Sequence, residues 1–531
     1  MRLTKYTTKD YTELGQTYQL VLPLSLEGLI PNDDSVRLLS HELEDLDYTK
    51  LYQAYSAKGR NPAVDPKTMF KILTYAYSQI IYSSRKIESA CRRDINFMWL
   101  LAGQRPPDHS TIARFRTGFL ADACEDLFFQ MVRHLAAMGE LSKETVFIDG
   151  TKLEACANKY TWVWKKSCTK NRGKVFEKIS MLIDAMNREV LGYFNLKLEK
   201  REEYAIDYIS KLLELYRKGT GLDESTFVSG CGHRKSIYQK QYQELQGYLE
   251  RLKTYAHHIE ICGEERNSYS KTDHSATCMR LKRDYMGNDQ LLPAYNLQTA
   301  VCDEYIAVVD VKQYASDMEC FIPLMEKFHK TYGRYPKYPV ADAGYGSYNN
   351  YLYCEEHGME KYMKFTMFKK ETGDKKYHEN PYRAVNFQRD ESGNLLCPNG
   401  KIFRFKCRRP VYKNKYGRTE EVYECESCEG GQHKRECSPK ASGNRTIRMN
   451  EELSAIYQEV ISNLESIHGA LLRMNRSIQA EGTFGVLKWD RSYKRLFRRG
   501  EKNVILELTL ISCGFNIYKY HNKKQRKEAA A

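Results

Sequence analysis

The chain has 531 residues, of which 42% are hydrophobic and 28% charged, with a formal net charge of +15 at pH 7. This length exceeds what one hydrophobic core supports and predicts about two to four domains. No stretch approaches the roughly 20 apolar residues of a membrane helix, and the first ten residues lack the apolar segment of a signal peptide. A cytoplasmic protein without a membrane partner is therefore expected, while the positive charge predicts an anionic partner.

Residues 1–140 carry short helical patterns and predict an N-terminal helical domain. The stretch 106–116 predicts a turn and then a helix that points Arg114 and Arg116 outward. Short helices, a tight turn and a basic last helix are consistent with a helix-turn-helix-like DNA-binding unit. A plain helical bundle fits the same pattern.

Residues 141–165 predict the first strands of an α/β domain. The apolar run 146–148 is β-branched and aromatic, and Gly150 ends it, which is typical of a buried strand. Asp149 occupies the last position of this strand, where a carboxylate is costly unless a partner compensates it.

Residues 166–285 predict a helical insertion, because apolar side chains recur there at helical spacing. Strands return in 286–374, where 295–301 and 305–311 predict a hairpin. A later short strand ends on Asp342 and a glycine-rich turn. The domain would thus be built from segments separated by the helical insertion.

Residues 375–447 are polar and rich in Lys, Asn and Gly. Four cysteines there have spacings that suit a structural Zn²⁺, namely Cys397, Cys425, Cys428 and Cys437. Cys407 and His433 are further candidates. The alternative is a loop with reduced, metal-free thiols, which is common in a cytosolic chain.

Residues 448–522 predict C-terminal helices of the same domain, and 523–531 a disordered basic tail. Glu481 lies in 477–488, which predicts the start of a helix. From residue 473 to 531 there are 14 Lys or Arg and 5 Asp or Glu. More than half of the net positive charge therefore lies in the region that carries Glu481.

Asp149 and Glu481 each precede a glycine, and Asp342 is followed two residues later by Gly344. For any one of them, a carboxylate that faces water is the simpler interpretation. Together they predict a site where three carboxylates converge. Two carboxylates roughly 4 Å apart repel by about 4 kcal/mol at an effective dielectric constant of about 20, so such a site needs a cation. Oxygen ligands favour Mg²⁺ or Mn²⁺, and two such ions suit phosphoryl displacement.

The segments around the three acids are Phe-Ile-Asp-Gly-Thr-Lys-Leu-Glu-Ala at 147–155, Ala-Asp-Ala-Gly-Tyr-Gly-Ser at 341–347 and Arg-Ser-Ile-Gln-Ala-Glu-Gly-Thr-Phe-Gly-Val-Leu-Lys at 476–488. Together they resemble the DDE-class transposases of bacterial insertion sequences. Segments at 82–88, 107–115, 295–301 and 495–500 also fit the family, in the same order. The resemblance covers most of the chain.

The resemblance implies an α/β fold in which helices flank a ribonuclease H-like mixed sheet, which agrees with the order of elements above. It implies that Asp149, Asp342 and Glu481 hold two Mg²⁺ or Mn²⁺ ions. It also implies cleavage at the ends of the element and attack of the freed 3′-hydroxyl on target DNA. The implied partners are the terminal inverted repeats, target DNA and a second copy of the chain, with a nucleoid-associated location.

One branch of the family has a Tyr two turns and an Arg one turn before the Glu, and a Lys two turns after it. Lys488 fits the last place, seven residues after Glu481 and on the same helix face. An ordinary surface lysine is the alternative. Met474 and Ser477 occupy the other two places, and Arg476 lies out of register. The expected DNA contacts are Arg114, Arg116, Arg476, Arg495, Arg498 and Arg499.

Two further functions remain open from sequence. One is a DNA-binding protein of transposase descent that no longer catalyses. The other is a ribonuclease H-like nuclease without strand transfer. The presence of all three carboxylates favours the active transposase.

Overall fold

The computed structural model describes residues 25–55, 61–189, 191–194, 197–230, 232, 234–281, 288–412, 414–439 and 442–530. The chain forms two compact units, one of residues 1–123 with 520–531 and one of residues 124–519. Helical patterns expected in 1–24 and 56–60 lie outside the described residues. The boundary at 123 places the last helix of the expected 1–140 domain in the second unit.

The first unit is helical. Its helices are α1 (Leu26–Leu29), α2 (Ser35–Glu42), α3 (Thr49–Gln53), α4 (Pro66–Ser78), α5 (Ser84–Arg93), α6 (Ile95–Leu101), α7 (His109–Arg114) and a π-turn (Phe115–Phe119). Four of these helices follow an aspartate whose carboxylate accepts a hydrogen bond from a first-turn amide, namely Asp34, Asp65, Asp94 and Asp108. These caps fix where the helices begin.

The second unit combines strands and helices. Up to residue 363 its elements are α8 (Cys124–Ala137), β1 (Thr145–Glu154), β2 (Trp162–Trp164), α9 (Lys165–Glu189), α10 (Ile206–Thr220), α11 (Ile237–Cys262), β3 (Ser268–Ser270), β4 (Thr277–Arg280), β5 (Leu291–Cys302), β6 (Tyr305–Lys312), α12 (Phe321–Tyr332), β7 (Tyr338–Ala341), α13 (Tyr348–Glu356) and β8 (Tyr362–Met363).

The main sheet has the order β4-β5-β1-β7-β8, and β6 also pairs with β5. β1 is antiparallel to β5 and parallel to β7, so the sheet is mixed. β7 and β8 are parallel, whereas β4 and β6 are antiparallel to β5. The expected α/β class with a mixed sheet is confirmed.

β1 is longer than its apolar run predicts. The strand was expected to end at Asp149, but it continues to Glu154. The reason is its partner, because β5 pairs with it from Phe147 through Glu154. A strand pairing of this kind cannot be seen in the local pattern.

The described residues between β2 and β3 include the α-helices α9, α10 and α11, which share one apolar core. Ile179, Leu212 and Leu245 are among its buried residues. β2 and β3 pair antiparallel, so the segment leaves and returns at the same place.

Residues 388–449 form a five-stranded antiparallel sheet, whereas the sequence predicted a polar, Cys-rich insertion without strands there. Its elements, with the short helices around it, are α14 (Phe368–Gly373), α15 (Lys375–His378), β9 (Gln388–Arg389), β10 (Leu395–Leu396), β11 (Ile402–Pro410), β12 (Thr419–Cys425), α16 (Lys434–Cys437) and β13 (Thr446–Met449). Ion pairs link β11 to β12, among them Lys406 with Glu424 at 2.6 Å and Arg408 with Glu421 at 2.7 Å. Opposite charges on neighbouring strands stabilise such a pair, and they replace the apolar alternation by which strands are usually recognised.

The C-terminal elements are α17 (Glu451–Glu465), α18 (Ile467–Arg476), a π-turn (Ser477–Glu481), α19 (Gly482–Gly485), a second π-turn (Val486–Asp490) and α20 (Glu501–Ala530). Glu481 therefore lies inside a helical run and not at a helix start. Residues 523–530 continue α20, although a disordered tail was expected. No helix within the described residues is both long and apolar enough to cross a membrane.

Asn516 ties α20 to strand β6. Its amide accepts a hydrogen bond from the Ile306 N–H at 2.9 Å and donates one to the Ile306 carbonyl at 2.8 Å. Asn516 is 0% exposed, so water cannot replace either bond.

We expect Asn516→Leu to lower the free energy of unfolding by roughly 2–5 kcal/mol, because it leaves two buried backbone groups without partners. Urea unfolding of parent and variant measures this loss. A loss below about 0.5 kcal/mol, the range of ordinary surface substitutions, would contradict the assigned role of Asn516.

Candidate active site

The register of the main sheet brings Asp149 and Asp342 together. Phe147 on β1 lies opposite Val340 on the parallel strand β7. Asp149 and Asp342 each follow two residues later, just where β7 ends at Ala341. Asp149 and Asp342 therefore lie at the same height along neighbouring strands, on the side of the sheet where β7 ends.

The π-turn at 477–481 places Arg476 next to Glu481. An α-helix brings residues four apart into line, whereas a π-turn adds one residue to the turn. Arg476, five residues before Glu481, is consequently in phase with it, and its Nη1 donates to Glu481 Oε1 at 2.9 Å. In the sequence, Arg476 was one residue out of register for an Arg one helical turn before Glu481. The wider turn brings Arg476 into that position.

Arg476 contacts all three predicted acids. Its Nη2 donates to Asp149 Oδ1 at 3.2 Å and lies 3.9 Å from Asp342 Oδ2, while Nη1 binds Glu481. The guanidinium is largely buried, with 11% of its side chain exposed, whereas the side chains of Glu481 and Asp342 are 55% and 46% exposed. Three carboxylates from β1, the end of β7 and the C-terminal helical run thus converge on one cation.

Asp149 is the most buried of the three acids. Burial raises the pKa of its carboxyl from 3.8 to about 6. Arg476 and the Gly150 N–H act in the opposite direction, and the negative charges of Asp342 and Glu481 raise the pKa further.

Asp317 is a fourth acid at this edge that the sequence did not reveal. Its Oδ1 accepts hydrogen bonds from Asn296 Nδ2 at 2.7 Å and Gln298 Nε2 at 3.1 Å. Asn296 and Gln298 are completely buried on β5, and the Tyr345 hydroxyl donates to Gln298. Two amides at alternate positions of a central strand were the available signal, because buried amides require partners.

Gly150 and Gly344 lie where a side chain would collide with this network. A Cβ at Gly150 would come within 2.8 Å of the Tyr345 hydroxyl and 3.0 Å of Asp317 Oδ1. A Cβ at Gly344 would lie 3.0 Å from Asp342 Oδ1 and 3.6 Å from Asp317 Oδ2. The glycines next to the acids therefore allow the carboxylates to approach.

Two lysines near the acids are Lys488 and Lys364. The Lys488 ammonium donates to Thr151 Oγ1 on β1. Its burial lowers the pKa of Lys488, and Asp149 counteracts this shift. Burial and the nearby Arg476 lower the pKa of Lys364, a residue that sequence reasoning missed.

Among the residues that the structure describes, no three or more His, Cys, Asp or Glu side chains are arranged to hold one metal ion. At the three acids, the oxygens surround a guanidinium, which is larger than a metal ion. The donors themselves, carboxylate oxygens open to solvent at Asp342 and Glu481, are the kind that Mg²⁺ and Mn²⁺ take.

The four predicted thiol ligands line one small cavity of about 30 Å³. Cys397 Sγ accepts a hydrogen bond from the Lys401 N–H and Cys428 Sγ from the Arg445 N–H, both at 3.3 Å. Cys437 Sγ instead accepts from the Arg445 guanidinium at 2.7 Å. Burial raises the pKa of Cys425 to about 12, with Cys428 adding to the shift. His433 also lines this cavity, whereas Cys407 is exposed on β11.

The structure corrects the outward position expected for Arg116. Arg116 is 5% exposed. Its guanidinium donates to the Tyr77 hydroxyl at 2.9 Å, the Tyr82 carbonyl at 3.1 Å and Ser84 Oγ at 2.7 Å. It therefore stabilises the first unit internally, while Arg114 remains exposed.

The basic segment 495–499 lies in space beside the C-terminal end of β1. Arg495 Nε lies 3.4 Å from Glu154 Oε1, and Arg499 Nε donates to the Cys156 carbonyl at 2.6 Å. Arg495 and Arg499 are exposed, and Arg498 is partly buried. The segment thus presents positive charge beside the strand that carries Asp149.

Three family models match the chain. Two are described as transposase DDE domains and match residues 225–424 and 396–521. The third, described as a transposase domain (DUF772), matches residues 24–118. No curated protein and no solved structure matches the chain.

The matched segments include Asp342 and Glu481, while Asp149 lies between two of them. The matches agree in kind and in order with the segments that resemble this family. The chain therefore belongs to the DDE-class transposases of insertion sequences, which are polynucleotidyl transferases and endonucleases that act on DNA.

Proposed function

We propose that Asp149, Asp342 and Glu481 are the catalytic acids of this transposase and hold two divalent ions, Mg²⁺ or Mn²⁺. The proposed reaction cuts the ends of the element and joins the freed 3′-hydroxyl to target DNA. The observation that carries the proposal is the convergence of the three carboxylates on one buried guanidinium. Bound ions would activate the attacking oxygen and stabilise the leaving oxygen of the phosphodiester.

The strand order supports a ribonuclease H-like catalytic domain. β6, β5 and β1 form an antiparallel series, and β7 and β8 continue parallel to β1. The acids then lie at the edge of the sheet where β7 ends.

The proposed roles of the basic residues follow from their positions. Lys488, anchored on Thr151 near Asp149, would contact a phosphate beside the acids. Arg495, Arg498 and Arg499 would bind the DNA backbone next to β1, and Arg114 would bind it from the first unit. We also propose that two copies of the chain act together on the terminal inverted repeats.

We expect Asp149→Asn, Asp342→Asn and Glu481→Gln each to lower the rate of terminal DNA cleavage by at least about a hundredfold, because each removes one charged metal ligand. Binding of terminal DNA should remain. Cleavage of labelled element ends with Mg²⁺ and a gel-shift assay measure the two properties.

Asp207→Asn is the matched control, since Asp207 is exposed on α10. It should cut at the parent rate. Cleavage at the parent rate by Asp149→Asn would refute the three-carboxylate site. A parent chain that binds the ends but never cuts would favour the inactive DNA-binding descendant.

The raised pKa of Asp149 predicts a pH-dependent stability. The folded-state pKa of about 6 exceeds the ordinary 3.8, so the ionised carboxylate destabilises the metal-free fold at neutral pH. This cost declines as the pH falls below about 6 and is absent below about 3.8, where the carboxyl is protonated in both the folded and the unfolded chain. In EDTA, we expect Asp149→Asn to be more stable than the parent by roughly 1–3 kcal/mol at about pH 7.5, and the difference to shrink at about pH 5. Denaturant unfolding at both pH values measures it. A difference that is the same at both would contradict the raised pKa.

We further propose a structural Zn²⁺ held by Cys397, Cys425, Cys428 and Cys437. Their common cavity and the backbone N–H groups that donate to Cys397 and Cys428 support this proposal, since thiolates accept such bonds. Cys437 would have to exchange Arg445 for the ion. A site with four thiolates leaves no position for substrate, so its role would be to stabilise the five-stranded sheet.

We expect purified protein to contain about one Zn²⁺ per chain, measured by elemental analysis. Cys425→Ser should lose the ion and destabilise the protein. Cys407→Ser should keep the ion, because Cys407 is exposed and does not line the cavity. If the parent protein contains no zinc even when it is prepared in zinc-supplemented medium, the zinc proposal is wrong and the four thiols form a metal-free cluster.

A further inference from the structure

We propose that Arg476 is an exchangeable counter-ion, which occupies the centre of the three acids until a divalent ion displaces it. The inference rests on the proposed function, because it assumes that Asp149, Asp342 and Glu481 are the metal ligands. It assigns Arg476 as a positioning residue that holds the carboxylates together before the ion arrives.

The Arg476 guanidinium lies between the three carboxylates. The same guanidinium contacts Asp149 at 3.2 Å, Glu481 at 2.9 Å and Asp342 at 3.9 Å. These carboxylates come from three separate elements, and their mutual repulsion would separate them without a cation. Because every one of the three acids faces Arg476, an ion that uses these oxygens takes the place of the guanidinium.

The charges around the site favour exchange over addition. Arg476, Lys488 and Lys364 already place three positive charges beside the three carboxylates and the nearby Asp317. Two divalent ions added to this set would give a strongly positive, partly buried cluster. Withdrawal of Arg476 reduces that repulsion.

The guanidinium is also incompletely satisfied where it lies. Its Nε is buried and has no hydrogen-bond partner among the residues that the structure describes. An unpaired buried donor makes this position of the side chain less favourable than full pairing would. On the other side, Glu481 and Asp342 are about half exposed, so ions can reach the acids from solvent.

The exchange would also explain how Arg476 can contact the DNA backbone. A guanidinium released from the acids can bind a phosphate through two parallel hydrogen bonds. Metal loading would therefore free Arg476 for a phosphate contact.

The test measures metal binding in the absence of DNA. Mn²⁺ affinity is determined from the signal of the free ion in electron paramagnetic resonance, and melting temperature is measured in EDTA and in Mn²⁺. The variants are Arg476→Gln, which removes the charge, and Arg476→Lys, which keeps it. Arg473→Gln is the control, since it removes the same charge one turn earlier on α18.

We expect Arg476→Gln to melt at a lower temperature than the parent in EDTA, to bind Mn²⁺ roughly tenfold or more tightly and to gain more stability from Mn²⁺. Arg476→Lys should resemble the parent, and Arg473→Gln should change Mn²⁺ affinity much less. If Arg476→Gln is unfolded in EDTA, recovery of a parent-like transition in Mn²⁺ would support the exchange.

Unchanged or weaker Mn²⁺ binding by a folded Arg476→Gln would overturn the inference, and so would equal tightening in Arg473→Gln. An Arg476→Gln chain that stays unfolded in saturating Mn²⁺ would assign Arg476 a purely structural role. A parent chain that binds no Mn²⁺ would instead refute the metal site of the proposed function.

Discussion

The pairing of β1 with its two neighbours is the constraint on which the site depends. The parallel register with β7 brings Asp342 level with Asp149, and the antiparallel ladder with β5 extends β1 beyond Asp149. The extension matters chemically, because Thr151 anchors Lys488 and the Glu154 carbonyl accepts from the Leu496 N–H. One strand thus positions an acid, a lysine and the start of a basic segment.

The two sides of the site differ in burial and in hydrogen bonding. On the sheet side, buried Asn296, Gln298 and Tyr345 share hydrogen bonds with one another and with Asp317. A buried polar network that is fully paired fixes the geometry of its members. On the helical side, Glu481 is half exposed and is joined to Asp149 and Asp342 through Arg476. The hydrogen-bonded side defines where Asp149 and Asp342 lie, and the open side would admit the proposed ions and DNA.

The π-turn before Glu481 shows how a small change in helix geometry decides a contact. In a regular helix, Ser477 would lie one turn before Glu481, and Arg476 would point elsewhere. The extra residue in the turn turns Arg476 toward the acids. Such turns are frequent at functional sites, and the sequence pattern does not reveal them because no residue type is specific to them.

The sequence by itself determined the three acids, their glycine neighbours, the order of the main strands and helices and the resemblance to the transposase family. These features are local, since they depend on apolar period, turn residues and short motifs. Only the tertiary structure decided the length of β1, the contact of Arg476 with all three acids and the part that Asp317 plays. It also decided the burial of Arg116 and the charge-paired strands of residues 388–449. The physical reason is common to all of these: each depends on a partner that is distant in the chain, and the identity of that partner is set by packing and register rather than by neighbouring residues.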